Sequence, residues 1–206
     1  MTDRWPPLVG TALVIALAAT PALAHVPAFP ADNTAPDRAL GVPDAAKSWA
    51  FYDRLERGQV RYYRLRLDAG QRLRIGIYTP SPGPLTPSVV LLSRALDDRE
   101  PVPPGVTVPP GMGTDVVEGE RPASASYEPF APSANYHTVD VDRSVDDGGT
   151  YLLAVYDPRN ASGPVGVAVG YEEEFTPTEY LRVPFDLVRV HVWEGHTPSS
   201  WPCRTS

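Results

Sequence analysis

The chain has 206 residues, 25 of them proline, with 42% hydrophobic and 21% charged residues. Those proportions exclude a disordered chain, and the proline content favours short strands joined by stiff loops over long helices. A formal net charge of −7 excludes the basic footprint of a nucleic-acid binder and suits a solvent-facing protein.

At the amino terminus, Arg4 precedes an apolar run from Leu8 to Ala19, followed by Ala22-Leu23-Ala24. A basic residue, a short apolar core and a small-x-small site make residues 1–24 a secretory signal peptide. The run is shorter than the roughly 20 apolar residues of a full membrane span. An uncleaved anchor is the alternative, and it is the one way this chain would meet a membrane. Both readings place the body outside the cytoplasm, secreted or at the cell surface. The single cysteine, Cys203, excludes an internal disulfide and leaves stability to the core.

Cleavage after Ala24 would make His25 the new amino terminus. An amino-terminal histidine can chelate copper through its amine and its imidazole, and His137, His191 or His196 would complete the site. Copper also favours soft or clustered imidazole ligands, and no Met or His cluster accompanies His25. Residues 25–47 form an extended lead rich in Pro, Asp, Asn and Ala. Residues 48–53 follow as a short aromatic strand in which Trp49 and Phe51 alternate with Ala50 and Tyr52. Trp49 and Tyr52 are candidates for stacking on sugar rings, with core packing as the competing use.

From Gly58 to Pro80 two alternating runs flank Asp68-Ala69-Gly70-Gln71. Tyr63, Leu65 and Leu67 share one face, as do Leu73, Ile75 and Ile77, so the stretch is expected to be a β-hairpin with one apolar side. Its other side would gather Arg64, Arg66, Arg72 and Arg74, like charges that repel unless neutralised. That face is a candidate site for an anionic polymer or envelope glycan. Internal pairing, with Glu172, Glu173 and Glu174 as partners, is the alternative.

Residues 87–93 are apolar on both faces and read as a central strand. Residues 94–122, with two Val-Pro-Pro-Gly repeats, read as a long Pro-rich surface loop. In residues 135–141, alternation puts His137, Val139 and Val141 on one face, making His137 a packed or rim histidine. Asp140, Asp142, Asp146 and Asp147 then cluster near a turn. They are candidate calcium ligands, although their spacing is not that of an EF-hand and solvated turn acids are the alternative. Residues 149–156 form another two-sided strand. Asn160-Ala161-Ser162 is a glycosylation sequon.

In the last predicted strand, Gly166, Ala168 and Gly170 leave a smooth face for another backbone to approach. Thr176-Pro177-Thr178-Glu179 is a capping box opening a helix to Trp193. Tyr180, Leu181, Leu187, Val188 and His191 are its expected packing positions, and Pro184 is expected to kink or split it.

Residues 62–75, Tyr-Tyr-Arg-Leu-Arg-Leu-Asp-Ala-Gly-Gln-Arg-Leu-Arg-Ile, and 148–156, Gly-Gly-Thr-Tyr-Leu-Leu-Ala-Val-Tyr, resemble the bacterial pre-peptidase carboxy-terminal domain over roughly residues 48–172. The resemblance implies a jelly-roll-like sandwich acting as an exported accessory module, with no catalytic residues to carry over. The chain departs from that pattern in its long Pro-rich insert, its helical tail and the lack of an attached peptidase.

The expectation is therefore an all-β, single antiparallel β-sandwich spanning 48–172, with a short kinked helix over 173–193 and an irregular tail over 194–206. No catalytic triad, HExxH, P-loop or dinucleotide fingerprint occurs in the sequence, so no enzymatic activity and no resident cofactor are expected. The leading function is an exported module binding an envelope glycan or another exported protein. The alternative is a copper-binding exported protein.

Overall fold

A computed structural model describes residues 25–97, 100–128 and 133–195. The signal segment, His196 and Cys203 lie outside these residues. Among the described residues, eleven strands form two sheets packed face to face. The six-stranded sheet runs β1 (Val26–Ala28), β3 (Trp49–Leu55), β11 (Gly163–Val169), β5 (Arg72–Pro80), β9 (Ser133–Ser144) and β8 (Ser126–Glu128) in spatial order. The five-stranded sheet runs β2 (Leu40–Gly41), β4 (Arg61–Leu67), β10 (Gly149–Tyr156), β6 (Ser88–Ser93) and β7 (Gly113–Val117). The expected all-β sandwich is therefore present. Its core holds Phe51, Tyr63, Leu65, Leu73, Ile75, Ile77, Leu91, Leu153, Val165 and Val167, all buried.

The expected hairpin over 58–80 does not form. β4 pairs with β10, matching Leu65 to Tyr151, whereas β5 pairs with β11 and β9, matching Ile75 to Val169 and Val141. The Asp68–Gln71 turn crosses from one sheet to the other. Alternation determines which side of a strand is buried, but it does not determine which neighbour completes the ladder. Both apolar faces still meet in the same core. The four arginines are consequently split, Arg64 and Arg66 on the outer face of one sheet and Arg72 and Arg74 on the outer face of the other.

The lead is more than an extended entry. β1 pairs in parallel with β3 and β2 in parallel with β4, so residues 25–47 add an edge to each sheet. Asn33, fully buried, donates to Asp53 through its side chain, and its carbonyl accepts from the Tyr62 amide at 2.7 Å.

Both sheets have covered outer faces. The Pro-rich segment is not wholly a loop, because it contributes β7 alongside β6. Val102, Val106, Val108 and Met112 lie over Tyr62, Val90, Leu92 and Leu152, and the Thr107 amide donates to the Tyr62 hydroxyl at 2.8 Å. Strands β6 and β10 read as apolar on both sides because this segment lies over them.

On the six-stranded sheet the cover is helix α1 (Pro177–Trp193). Its capping box is formed, the Glu179 amide donating to Thr176 Oγ1 at 3.3 Å and the Thr176 amide to the Glu179 carboxylate at 2.6 Å. The helix runs through Pro184 without splitting. Its packing face also differs from expectation. Asp186 and Val190 are buried and Leu187 half-buried against Ala50, Tyr52, Tyr78 and Ala168, while Tyr180, Leu181 and Val188 point to solvent. The smooth face of β11 is shared out: Ala168 meets the helix, and Gly166 makes room for the Tyr78 ring, which a Cβ there would approach to 2.1 Å. No helix among the described residues is long and apolar enough to cross a membrane.

Candidate functional site

The outer face of the six-stranded sheet is half covered by α1. The other half is a cleft of about 480 Å³ with Gly76, Ala168 and Gly170 along it. Gly76 has no side chain and Ala168 only a methyl, which leaves the room. Around the rim stand His25, Ser48, Arg72, Arg74, His137 and Asp140, with Glu128 and Glu173 beside them.

His137 reaches this cleft through a β-bulge. Ile77 pairs with Val139 and Tyr78 with His137, so Thr138 has no partner of its own in the ladder. One extra residue inverts the alternation beyond it. Val139 and Val141 stay in the core, Thr138 turns inward to donate to the Pro87 carbonyl at 3.0 Å, and His137 faces outward beside the Tyr78 ring, centroids 5.7 Å apart. The expectation that His137 shares a face with Val139 and Val141 is thereby corrected.

His25 comes from the opposite edge. The Val26 amide donates to the Ser48 carbonyl at 2.9 Å, and the His25 ring meets the Ser48 hydroxyl through Nδ1. Burial pushes the His25 imidazole below its ordinary pKa, the charges of His137 and Arg74 push the same way, and Glu128 opposes them. Burial also lowers His137, against Glu128 and Asp140. Both rings are therefore neutral near pH 7, the form that offers a lone pair. Of the other histidines, His191 sits on α1 with Nδ1 3.4 Å from Glu194.

The arginine candidates divide in the same way as the sheets. Arg72 grips Asp142 with two hydrogen bonds of 2.7 Å, and Arg74 adds a third of 2.7 Å to the same carboxylate and reaches Asp140 at 3.2 Å. The neutralising acids are those of β9 across the strand rather than Glu172–Glu174. This pairing removes the anion-binding reading for Arg72 and Arg74. Arg64 and Arg66 are exposed on β4 with no salt bridge among the described residues, and two charges alone make no groove.

The hydrogen bonds from Arg72, and then those from Arg74, hold the Asp142 carboxyl far below the usual carboxylate range. A folded-state value below the unfolded one means that stability from this group is present above pH about 4 and is lost as pH falls toward the folded value. Asp142→Asn should therefore lower stability at pH 7 by a small, solvent-screened amount and flatten the acid limb by that same amount, so that the two proteins converge as pH falls. Urea midpoints of both proteins at pH 7 and pH 3 check this, and an equal acid loss in both would refute it.

The same pairing breaks up the calcium set. Asp140 and Asp142 are held by arginines on the sheet face. Asp146 and Asp147 lie at the β9–β10 turn around a separate cavity that also contains Asp97, Asp115 and Arg143. Four acids close in sequence do not converge in space. Among the described residues no three His, Cys, Asp or Glu side chains form a metal-holding group.

The aromatic candidates give no sugar platform. Tyr52 is buried under α1 against Trp193 and Phe29. Trp49 donates to the Asp44 carbonyl at 3.0 Å, with the Lys47 ammonium 5.0 Å from its ring centroid. Asn160 is exposed in the turn after β10 at φ 54°, an accessible place for the sequon.

A second feature was not anticipated. Leu181 is 75% exposed, Phe185 74%, Val188 43% and Val192 59%. They are spaced i, i+4, i+7 and i+11, so they form one apolar stripe along the solvent side of α1. That spacing is visible in the sequence, but it does not reveal which of two apolar faces the sheet will take.

No protein-family profile matches the chain, and no curated protein is significantly similar to it. Solved structures that match the chain include PliG of Aeromonas hydrophila, a periplasmic lysozyme inhibitor of g-type lysozyme, at 15% identity and TM-score 0.37, over 72% of this chain and 100% of that one. PliG of Salmonella Typhimurium, described in the same words, gives 13% identity and TM-score 0.35 over 65% and 99%. Neither likeness is close enough to transfer a function.

Proposed function

We propose that this chain is an exported, non-catalytic binding module that docks another exported protein on the outer face of α1. The observation that carries the reading is the exposed stripe of Leu181, Phe185, Val188 and Val192. A helix already anchored by Asp186, Leu187, Val190 and Trp193 has no folding use for a second apolar side, and exposed apolar stripes of this kind serve as docking surfaces. Arg182 and Arg189 flank it, each more than half exposed and only 3.9 and 3.8 Å from the buried Asp186 carboxylate. The partner that fits is an apolar ridge with an acidic rim. Export rests on the leader-like residues 1–24. A glycan is the weaker ligand, because Tyr52 is buried and the half-buried Trp49 has the Lys47 ammonium near its ring.

Phe185→Asp should leave the melting temperature within the spread of a surface change, about 0.5 kcal/mol, and weaken association by about 30-fold, as loss of a central aromatic contact does. The test places a photo-crosslinking residue at Val188 in the full chain expressed in its own host envelope. A discrete adduct with one other protein, lost with Phe185→Asp, supports the reading. An adduct between two copies of this chain, or none, overturns it.

A further inference from the structure

The two histidines at the cleft rim have no role in docking through α1. They come from chain segments more than a hundred residues apart, and two separate devices bring them together: the parallel pairing of β1 on β3 and the bulge at Thr138. Both rings line the same cleft, with Glu128 among the groups around them. The side-chain set is one donor short of a three-ligand site. The missing donor is the one that processing creates, because removal of residues 1–24 leaves a free α-amine on His25 itself.

We infer that cleavage after Ala24 turns this cleft into a copper(II) site, bound by the α-amine and Nδ1 of His25 and by the imidazole of His137. Amine and Nδ1 of one histidine close a chelate ring on a metal ion, and an all-nitrogen set in a tetragonal plane is the arrangement copper(II) favours. His25 Nδ1 already faces an oxygen, Ser48 Oγ, so a bound ion exchanges a hydroxyl contact for a metal bond. The charge around the cleft is compatible with a cation. Asp140 and Asp142 hold the guanidiniums of Arg72 and Arg74, and Glu128 and Glu173 line the cleft beside them. Gly76 and Ala168 keep the cleft between the rings open.

The test uses the exported chain, with its start at His25 verified by intact mass, titrated with copper(II) by calorimetry and by electron paramagnetic resonance. Two altered chains accompany it: His137→Ala, and a form keeping one extra residue before His25. Wild type should show three nitrogen couplings. The extended form, in which the amine is acylated and no folded contact changes, should bind about 100-fold more weakly. His137→Ala should lose at least tenfold in affinity and one coupling. If His137→Ala folds poorly by near-ultraviolet circular dichroism, His137→Gln takes its place. A chain not cut after Ala24, an extended form that binds as tightly, or a His137 variant with an unchanged spectrum would each overturn the inference. Phe185→Asp should bind copper as wild type does, so loss of docking and loss of the metal site are read separately.

Discussion

Asp53→Ala should cost about 3–5 kcal/mol, the range seen when one partner of a buried charge pair is removed. Asp53 lies in the interior, 5% exposed, where Trp49–Leu55 passes under α1. One carboxylate oxygen accepts from the Tyr63 hydroxyl at 2.7 Å and from Asn33 at 3.1 Å; the other faces Arg61 at 3.2 Å and the Arg54 amide at 2.7 Å. Burial, reinforced by the Asp53 charge, pushes the Tyr63 hydroxyl well above its ordinary pKa, so it remains a donor. Without the carboxylate, a fully buried hydroxyl loses its acceptor and a nearly buried guanidinium loses its counter-ion, keeping only the neutral Arg54 carbonyl and Asn33 Oδ1 as acceptors. For a domain of this size the expected fall in melting temperature is about 10 °C. Tyr63→Phe should cost about 1–3 kcal/mol, leaving one buried oxygen short of a donor. Asp53→Ala and Arg61→Ala should be far from additive, since each removes the same pair. Chemical unfolding of the three single variants and of the Asp53→Ala/Arg61→Ala double variant checks this, and a loss below about 1 kcal/mol for Asp53→Ala would show that the network does not hold the fold.

Gly170→Ala is the second large effect. Gly170 has φ +88°, and a Cβ there would stand 2.0 Å from the Lys47 carbonyl oxygen and 2.8 Å from that of Ala46. Neither backbone can retreat. Ala46 accepts from the amides of Tyr171 and Glu172 at 2.8 Å, the Ser48 amide donates to Glu172 at 2.8 Å, and Gly170 itself donates to Arg74 at 3.0 Å. The left-handed conformation and the overlap each cost about 1–3 kcal/mol, so a total of about 3 kcal/mol or more is expected. Gly111→Ala is the control. Its φ is +80° with nothing within 4 Å of the added carbon, so only the strain of about 1 kcal/mol remains. Equal melting temperatures for the two variants would show that the Lys47 crossing is loose. Because that crossing also sets Ser48 against His25, Gly170→Ala should disturb the cleft as well as the fold.

Much of the architecture was legible because it depends on local pattern. The alternation of Tyr63, Leu65 and Leu67 and of Leu73, Ile75 and Ile77 identified core faces correctly, since a strand's two sides differ in apolar content wherever one side is buried. The capping box at Thr176 was readable because its donors and acceptors lie within one turn. The misread features were all non-local. The β4–β5 hairpin failed because strand pairing is decided by the whole sandwich, and the neighbours of β4 and β5 come from β10 and β11. The helix face failed because α1 has two apolar sides, and only the positions of Tyr52, Tyr78 and Phe29 select between them.

The candidate site shows the same division. His25 was singled out from the processing pattern alone, and Arg72, Arg74, Asp140 and Asp142 were visible as charges but not as partners. His137 was assigned to the wrong face because period-2 counting passes through Thr138, and the bulge there has no sequence mark. Glu128 and Ser48 carried no signal at all.

By itself, then, the amino-acid sequence determined what kind of surface each strand has, the all-β class, the helix start and the chemistry available at His25. These follow from side-chain polarity and spacing within a few residues. Only the tertiary structure decided that the Arg-rich run is shared between two sheets, that Asp140 and Asp142 neutralise Arg72 and Arg74, and that His25 and His137 meet in one cleft. Those outcomes depend on which strands pair and where one residue bulges, and pairing is chosen by the burial of the whole core.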